Sequence, residues 1–332
     1  RPGLDVRANR GALGVAAAVA TELLYGCSFV FTKDAVETIS PAALLAWRFS
    51  VALGAMGVLL ATRVVRLTLT RHSVRPLLLL ALFQPLLYYA AETLGVQRTT
   101  ASEGGILIAT APVGILLASW LVLGRPPSPR QVTGILITFA GVFATIAAGG
   151  VATGFNPLGY LLLLAAVASY SLYTVFAERD DSSSALDKTF AMLAVGAVVF
   201  TTIALVEATG DGRTVEVLAI PLTHPELLAG IGYLALGSSL GAFFLQTVAI
   251  ANLGSNRYST FIGLSTLTAV LAAALVLGER LSPLQVIGGV VIMLGVYVAN
   301  ATSRSPATRP GQADQSASSL AGTPSLPTSR CQ

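Results

Sequence analysis

Residues 121–134 read LVLGRPPSPRQVTG, and residues 275–288 repeat that pattern as LVLGERLSPLQVIG. In both copies an apolar run stops at a glycine, a charged turn containing proline follows, and a second apolar run begins with glutamine. Each second run carries two glycines at matching places: Gly134 and Gly141, then Gly288 and Gly295. Each copy is therefore predicted to be a helical hairpin with a tight turn, and the chain to be a duplication.

The composition is that of an integral membrane protein. Of the 332 residues, 54% are hydrophobic and 11% are charged, whereas soluble domains contain roughly a quarter charged residues. The mean hydropathy is +0.75. Apolar runs of about 20 residues, long enough to cross a hydrocarbon core of roughly 30 Å as α-helices, recur with short connections. The ten predicted spans are residues 12–33, 42–62, 76–97, 102–123, 131–149, 157–177, 189–208, 226–250, 258–277 and 284–301.

Two other architectures are disfavoured. No polar segment is long enough to cover so many apolar helices in a soluble protein. The runs are continuous rather than alternating with period two, which argues against a β-barrel. The predicted fold class is an all-α membrane protein, with its first span retained rather than cleaved as a signal peptide. Cys27 and Cys331 form no disulfide framework and do not indicate a redox compartment.

The Lys and Arg residues predict the orientation of the spans. With the N-terminus inside, the cytoplasmic residues are Arg1, Arg7, Arg10, Arg63, Arg66, Arg71, Arg75, Arg125, Arg130, Arg179, Lys188, Arg257, Arg304, Arg309 and Arg330. The external ones are only Lys33, Arg98, Arg213 and Arg280. We therefore expect a multi-pass protein of the plasma (inner) membrane with both termini in the cytoplasm. The basic loop at 63–75 is interpreted as a topology determinant rather than a site for nucleic acid or lipid headgroups.

The number of spans per copy decides how the two copies are related. Five spans, an odd number, place the second copy in the membrane in the opposite sense to the first. We predict two inverted five-helix repeats, residues 1–150 and 151–301, and a disordered cytoplasmic tail at 302–332, which is rich in Ser, Pro, Thr, Ala and Gln. Inverted repeats are typical of transporters whose substrate site lies near the midplane, between halves that move against each other.

A family resemblance covers nearly all of residues 10–301. It rests on the duplicated turn, on the run GERLSPLQ at 278–285, on the sequence Trp47-Arg48-Phe49 and on the ten-helix duplication. On these features the chain resembles the EamA-type members of the drug/metabolite transporter superfamily. The resemblance implies a secondary carrier or exporter of small metabolites, amino acids, amines or drugs.

The sequence departs from the family pattern at two places. Arg125 stands where the pattern has Glu, and Thr266 stands where the first copy has Pro112. Because threonine keeps the backbone N–H that proline lacks, bending is expected to be less obligatory at Thr266. Glu279 lies at a helix end and is interpreted as a structural residue of the turn rather than a substrate ligand.

Three charged residues lie deep in the predicted spans, where each is costly without a partner or a water-filled cavity. Glu22 is about ten residues into the first span, roughly 15 Å deep and near the midplane. Arg48 and Glu92 lie about 8–10 Å from the outer ends of consecutive spans. We expect Arg48 and Glu92 to form an ion pair that lines the outer half of a cavity.

Polar residues on other spans predict further lining of that cavity. Gln84, Tyr88 and Glu92 are spaced i, i+4 and i+8, which places them on one face of a helix. The alternative for this stripe is interhelical hydrogen bonding that only packs the bundle. Aromatic walls with a few polar groups suit small amphiphilic solutes. The predicted substrate-binding residues are Glu22, Tyr25, Arg48, Gln84, Tyr88, Glu92, Ser169, Tyr173, Gln246, Ser259 and Thr266.

Glu22 is the candidate for ion coupling, because it is the only acidic residue predicted near the middle of the bilayer. It could bind a proton on one side and release it on the other as the cavity alternates, or hold a cationic solute in competition with that proton. Small multidrug carriers of the same superfamily are similar, with an acid in their first helix. No acid matches it in the sixth span, which predicts one acidic site per chain. The alternative is that Glu22 only hydrogen-bonds a neighbouring helix.

No enzymatic, cofactor or metal site is predicted. The sequence has no His-rich metal spacing and no phosphate-cradling glycine loop, and His72 and His224 lie in loops. It also lacks the two nucleotide-binding domains of an ATP-driven pump, so transport would draw on an ion gradient or on the solute's own gradient.

The predicted function is secondary transport, with export of small metabolites by alternating access as the main hypothesis. The alternatives are an uncoupled facilitator or importer, and a receptor or scaffold without transport. The expected partners are a small-molecule substrate, protons and the lipid bilayer, with no nucleic acid. The sequence does not predict the oligomeric state.

Overall fold

The computed structural model describes residues 2–69, 73–124, 126–149, 156–210, 212, 217, 219–220 and 223–300. The tail predicted at 302–332 and the departure at Arg125 lie outside these residues. The described residues form helices and connecting turns with no strand among them. The fold is an all-α membrane protein, as predicted.

Nine of the described helices are long and apolar enough to cross a membrane, and a bent pair supplies a tenth span. The spans are α1 (Pro2–Thr38), α2 (Pro41–Ala61), α3 (Val74–Arg98), α4 (Ala101–Ile108 with Ala111–Leu123), α5 (Pro129–Gly149), α6 (Pro157–Arg179), α7 (Ala185–Gly210), α8 (Pro225–Leu253), α9 (Ser255–Leu277) and α10 (Pro283–Asn300). Every predicted span has a counterpart. The largest difference is at α1, which extends beyond the predicted span at both ends.

The duplicated turn has the same backbone conformation in both copies. Each apolar run ends at a glycine in the left-handed region, Gly124 with φ 65° and Gly278 with φ 66°. Glycine adopts this conformation without the steric cost that a Cβ atom would add. The two glycines therefore end α4 and α9 in the same way, as the repeated sequence predicts.

The helices that follow these turns begin with matching caps. The side-chain oxygens of Ser128 and Gln131 each accept a hydrogen bond from the other residue's backbone N–H, and Ser282 and Gln285 do the same. A proline follows each serine, where its missing N–H costs nothing. This capping box fixes the start of α5 and of α10.

α5 and α10 cross closely and run antiparallel. Gly134 lies against the backbone of Gly295, and Gly141 lies against the backbone of Gly288. A Cβ atom built on Gly141 would sit 2.7 Å from the backbone nitrogen of Ile292, so a side chain there would push the helices apart. The repeated glycines are thus explained by a close helix contact.

Packing among the other spans follows the same two-fold arrangement. α1 packs against α8 and α9, while α6, its equivalent in the second repeat, packs against α3 and α4. α2 packs against its own equivalent, α7. These reciprocal contacts are those of two inverted repeats whose elements interleave.

α4 and α9 differ as the sequence predicts. α4 bends by 42° between its two segments, just ahead of Pro112. α9 carries Thr266 at the matching place and crosses as one span. Because Thr266 keeps its backbone N–H, α9 can continue where α4 cannot.

α3 is broken within its span, which the sequence analysis did not predict. Gln84 is non-helical, with φ −139° and ψ 115°, inside a π-helical turn over Leu82–Leu87. A residue that precedes proline is driven towards extended conformations, and Pro85 has no N–H to donate. The prediction that Gln84, Tyr88 and Glu92 share one face of a regular helix is therefore wrong, because helical periodicity does not run through Gln84. The matching helix α8 has a π-helical segment over Tyr233–Gly241.

Candidate functional site

Buried polar and aromatic side chains from six spans meet in the interior, and we call them the interior cluster. Its members are Glu22, Tyr25, Arg48, Gln84, Tyr88, Tyr89, Glu92, Tyr170, Tyr173, Gln246 and Tyr258. α1, α2 and α3 of the first repeat contribute to it, and so do α6, α8 and α9 of the second. All eleven side chains are buried. The cluster therefore lies between the two repeats, closed off from solvent.

Glu22 is held by a tyrosine of the other repeat. The Tyr258 hydroxyl donates a hydrogen bond of 2.5 Å to Oε1 of Glu22. Tyr258 and Tyr170 are joined through their hydroxyls at 2.8 Å. The Ser265 side chain also lies next to the Glu22 carboxyl. A carboxyl group at membrane depth thus has hydroxyl partners rather than a basic one.

A second network joins α1, α3 and α8. Tyr25 donates a hydrogen bond of 2.8 Å to Oε1 of Gln246. The Gln84 amide donates to the Tyr25 hydroxyl at 3.1 Å and to Oε1 of Gln246 at 3.3 Å. The break at Gln84 therefore places its side chain among predicted site residues of two other helices.

Arg48 does not have the partner that the sequence analysis expected. Nε of Arg48 donates to Ser239 at 2.8 Å, and Nη2 donates to Ser238 at 2.5 Å. The guanidinium carbon lies 4.1 Å from the centre of the Tyr89 ring, a cation–π contact. Both Arg48 and Glu92 are described, and no ion pair joins them. The predicted ion pair is therefore wrong, because the guanidinium is instead hydrogen-bonded to two serines in the π-helical segment of α8.

Glu92 and Tyr88 lie beside this arginine. Glu92 is within electrostatic range of Arg48, and its hydrogen bond in the structure is a 3.3 Å contact from Thr93. The Tyr88 ring packs against Tyr89 at 4.7 Å and against Tyr170 at 5.6 Å between centroids. These rings form the aromatic wall between Arg48 and the tyrosines near Glu22.

The two predicted residues of α6 differ in what they contact. Ser169 donates a hydrogen bond of 2.9 Å to the carbonyl oxygen of Phe83, next to the break in α3. Ser169 therefore supports the break. Tyr173 is fully buried in the cluster.

Ser259 and Thr266 are not brought into the interior cluster. Ser259 donates a hydrogen bond of 2.8 Å to the carbonyl of Asn256 in the first turns of α9. Thr266 lines an apolar groove of about 520 Å³, between α9 and α10, together with Gly263 and Met293. Apart from these two residues, the structure gathers the predicted substrate-binding residues in or directly beside the cluster.

Several members of the interior cluster were not predicted from the sequence. The two serines that accept hydrogen bonds from Arg48 were not predicted either. Tyr89 and Tyr170 directly follow the predicted site residues Tyr88 and Ser169, but single tyrosines also occur as packing residues. Tyr258 lies at the start of α9, where a tyrosine suggests an interfacial position. Ser238 and Ser239 sit in a run of small residues that reads as close helix packing.

The interior cluster has unused hydrogen-bonding capacity. Within the described part of the chain, its polar atoms without a partner are Nη1 of Arg48, Oε1 of Gln84, the hydroxyls of Tyr89 and Tyr173, and Nε2 of Gln246. Buried polar groups in proteins are normally satisfied by protein, water or a ligand. These unpartnered atoms come from four helices.

Hydrogen bonds between helices hold one end of the bundle. Glu279 accepts hydrogen bonds of 2.9 Å from the backbone N–H groups of Ala101 and Ser102, and so caps the start of α4. Oε1 of Glu103 accepts hydrogen bonds from Tyr160 at 2.7 Å and from Gln285 at 2.8 Å. Glu279 is thus a structural residue, but it caps a different helix rather than its own turn.

The opposite end is held by other carboxylates. The Ser255 hydroxyl donates to Glu178, which joins α9 to the end of α6. Asp187 accepts from the backbone N–H of Thr68 at 2.8 Å and from the Thr68 hydroxyl at 2.6 Å. The interior cluster therefore lies between two ends that are each tied by hydrogen bonds.

Comparison with known proteins identifies relatives of this chain. The family model for the EamA-like transporter family matches residues 12–147 and again residues 157–301. The chain is 31% identical over 297 residues to the "Uncharacterized transporter YcxC" of Bacillus subtilis (strain 168), covering 89% of this chain and 95% of the relative. It is 28% identical over 291 residues to an "Uncharacterized transporter" of Archaeoglobus fulgidus, covering 85% and 95%. A crystal structure at 19% identity superposes with a TM-score of 0.57 over 88% of this chain and 96% of the other, a likeness of fold.

Proposed function

Because this chain belongs to the EamA-like transporter family, we propose that it is a secondary transporter that exports a small metabolite by alternating access. The site would be the interior cluster between two repeats, residues 1–150 and 151–301. The protein would act in the plasma membrane with both termini in the cytoplasm, without enzymatic activity of its own.

The observation that carries this proposal is the position of the interior cluster. It lies between inverted repeats, next to the break in α3 and the π-helical segment of α8, and these are the third helices of the two repeats. Interrupted helices at the interface of inverted repeats are typical of transporter substrate sites. Both ends of the bundle are tied, so the structure is compatible with an occluded state that opens alternately to either side.

We further propose that Glu22 couples transport to protons. Its carboxyl group is buried, and its hydrogen-bond donor Tyr258 belongs to the other repeat. Movement between the repeats would change that contact, and with it the balance between the protonated and ionised carboxyl group. The solute would be an amino acid, an amine or another small amphiphilic molecule.

The test is transport by purified protein in liposomes. Counterflow of labelled solutes from a panel of amino acids and amines should occur with the wild-type protein, and a pH gradient should drive accumulation. Glu22→Gln should still exchange solute but lose the accumulation driven by the pH gradient. Glu37→Gln, a change in the same helix at an exposed residue paired with Lys33, is the matched control and should behave as the wild type.

The outcomes separate the candidate functions. Undiminished proton-driven uptake in Glu22→Gln would contradict the coupling role of Glu22 and indicate another coupling residue. Counterflow by the wild type without any accumulation driven by the pH gradient would favour an uncoupled facilitator or importer. Solute binding without any counterflow would favour a receptor or scaffold.

A further inference from the structure

One cation in the interior cluster has an unused donor. Arg48 is completely buried. Nε and Nη2 donate to Ser239 and Ser238, but Nη1 has no partner among the described residues. A buried guanidinium normally satisfies its donors, because leaving them unmet is costly. The serines fix the plane of the guanidinium and leave its Nη1 group without a hydrogen-bond partner.

The aromatic ring that stacks on the guanidinium carries a second donor without a partner. The Tyr89 ring packs under the guanidinium, 4.1 Å from its carbon atom. The Tyr89 hydroxyl lies close to Ser238 and Tyr25, yet has no hydrogen-bond partner in the described part of the chain. Phe49 and Phe243 pack against the same ring, with centroids 5.5 Å and 5.8 Å away, and hold it in place. Two donors, one of them charged, thus belong to stacked side chains and lack a hydrogen-bond partner among the described residues.

We propose that Arg48 and Tyr89 form a carboxylate-binding subsite for the transported solute. This inference rests on the proposed function and narrows its substrate class to solutes that carry a carboxylate. Arginine suits this role because its planar N–H groups match the geometry of a carboxylate, and hydrogen bonds between ionised groups are the strong ones. The phenol adds a second donor to the same anionic group.

The nearby carboxyl group of Glu92 does not fill the subsite. It lies within electrostatic range of Arg48 without bonding to it. An arginine with a purely structural role would be expected to form an ion pair with Glu92, so that all of its N–H groups had acceptors. Glu92 instead places a carboxyl group beside the subsite, and its ionised form would compete with an incoming carboxylate for the field of Arg48.

The subsite predicts discrimination between close analogues. A site built to hydrogen-bond one group rejects an analogue that lacks it, because the buried donors are then left unmet. A solute whose carboxylate is replaced by a neutral amide, or removed, should bind far more weakly than its parent. Amines without a carboxylate should be poor ligands.

The experiment measures binding to full-length protein in detergent, by thermal shift and by titration calorimetry. The probes are the proteinogenic L-amino acids and simple monocarboxylates such as benzoate and propionate, each beside its primary amide. We expect at least one carboxylate to stabilise the wild-type protein, and its amide to bind about tenfold or more weakly. No stabilisation by any carboxylate, or equal binding of acid and amide, would overturn the subsite.

The test uses variants that retain Arg48, because replacing this buried residue could itself prevent folding. Tyr89→Phe retains the ring and removes only the hydroxyl, and should weaken carboxylate binding about tenfold. Glu92→Gln removes the competing charge and should tighten it. Tyr297→Phe, on the outer face of α10 with 70% of the residue exposed, is the matched control and should bind as the wild type. Unchanged affinity in both Tyr89→Phe and Glu92→Gln would contradict the subsite.

Binding and transport can fail separately in this design. Selective carboxylate binding without counterflow would leave the subsite standing and remove the proposed transport. Counterflow of amines and amides as fast as of carboxylates would leave the transport standing and remove the subsite.

Discussion

The hydroxyl of Tyr258 lies 2.5 Å from Oε1 of Glu22, so the fourth helix of one repeat holds the buried acid of the other. Tyr170 in turn contacts the Tyr258 hydroxyl at 2.8 Å. The acid is thus linked through two tyrosines to the aromatic wall near Arg48. Relative movement of α1 and α9 would change the contact between Tyr258 and Glu22.

The first prediction concerns Tyr258→Phe, which removes this hydrogen bond and keeps the ring. A hydrogen bond to an ionised group contributes about 1.5–3 kcal/mol, so we expect proton-driven uptake in liposomes to fall about tenfold or more. Tyr170→Phe should have a smaller effect, because the Tyr170 hydroxyl is hydrogen-bonded to Tyr258 rather than to Glu22 itself. Equal uptake by wild type and Tyr258→Phe would contradict a role for this contact in coupling.

The second prediction concerns the actual partners of Arg48. Ser239→Ala removes the acceptor of Nε and leaves a buried charged group with less compensation, so it should lower the free energy of unfolding by about 1–3 kcal/mol. Thermal denaturation in detergent measures this. Ser259→Ala is the control, since Ser259 bonds only within the first turns of α9. An Arg48→Gln background should abolish the effect of Ser239→Ala, and simple additivity of the two changes would contradict the contact.

The span pattern was predictable because it depends on the solvent. Long apolar runs must form helices in a bilayer, where each backbone polar group needs a partner within its own segment. The repeated turn could be placed for the same kind of local reason, since a glycine and a Ser-Pro-x-Gln cap determine where helices end and begin. Pro112 likewise indicated the bend in α4, because proline lacks the backbone N–H that a regular helix needs.

The site could be predicted only in part, because its contacts join residues far apart in sequence. Depth along a helix identified Glu22, Arg48 and Glu92 as buried charges, but depth does not specify a partner. Arg48 bonds Ser238 and Ser239, which are about 190 positions away in sequence. Pro85 was a visible signal for a break in α3. Its consequence, that Gln84 reaches Tyr25 and Gln246, needed the tertiary structure.

The third prediction tests the close crossing of α5 and α10. A Cβ atom on Gly288 would lie 2.9 Å from the backbone nitrogen of Thr145 and 3.0 Å from the carbonyl of Gly141. Gly288→Ala should therefore destabilise the protein by about 1–3 kcal/mol through overpacking. The adjacent Gly289→Ala is a matched control, because its Cβ would meet only Ile106 at 3.8–3.9 Å. Equal melting temperatures for the two variants would contradict the proposed packing.

The fourth prediction is a pH dependence at Asp180, in the turn after α6. Burial raises the pKa of Asp180, but hydrogen bonds from Ser182 and Ser183 and the charge of Lys188 outweigh it and hold the pKa below its ordinary value. The ionised form is thus favoured in the folded state. Its contribution to stability is present above the unfolded pKa of about 3.9 and is lost as the pH falls through the lower, folded value.

Asp180→Asn should accordingly lower the melting temperature at pH 7, and the difference from the wild type should shrink as the pH is lowered to about 3. Thermal denaturation in detergent across this range is the measurement. Asp181→Asn, at the exposed neighbouring position, is the control. A difference that stays constant with pH would show that the charge of Asp180 does not contribute.

The fifth prediction concerns the orientation of the whole bundle. The second repeat is inverted in the membrane relative to the first. This follows from the antiparallel crossing of α5 and α10 and from the reciprocal packing of α1 and α6. One orientation signal therefore has to serve both repeats, and the Lys and Arg residues assign it to the end that carries the loop at 63–75. Reversing the basic residues around the first span should consequently perturb insertion of both repeats together.

Single cysteines report the orientation directly, in a background without Cys27 and Cys331. Leu69→Cys and Pro126→Cys should be labelled by an impermeant reagent only after the membrane is opened, because their end is expected to be cytoplasmic. Glu37→Cys and Thr209→Cys, which are exposed at the opposite end, should be labelled in intact cells. Labelling of Leu69→Cys in intact cells would invert the topology. It would also exchange the sides from which the interior cluster receives and releases its solute.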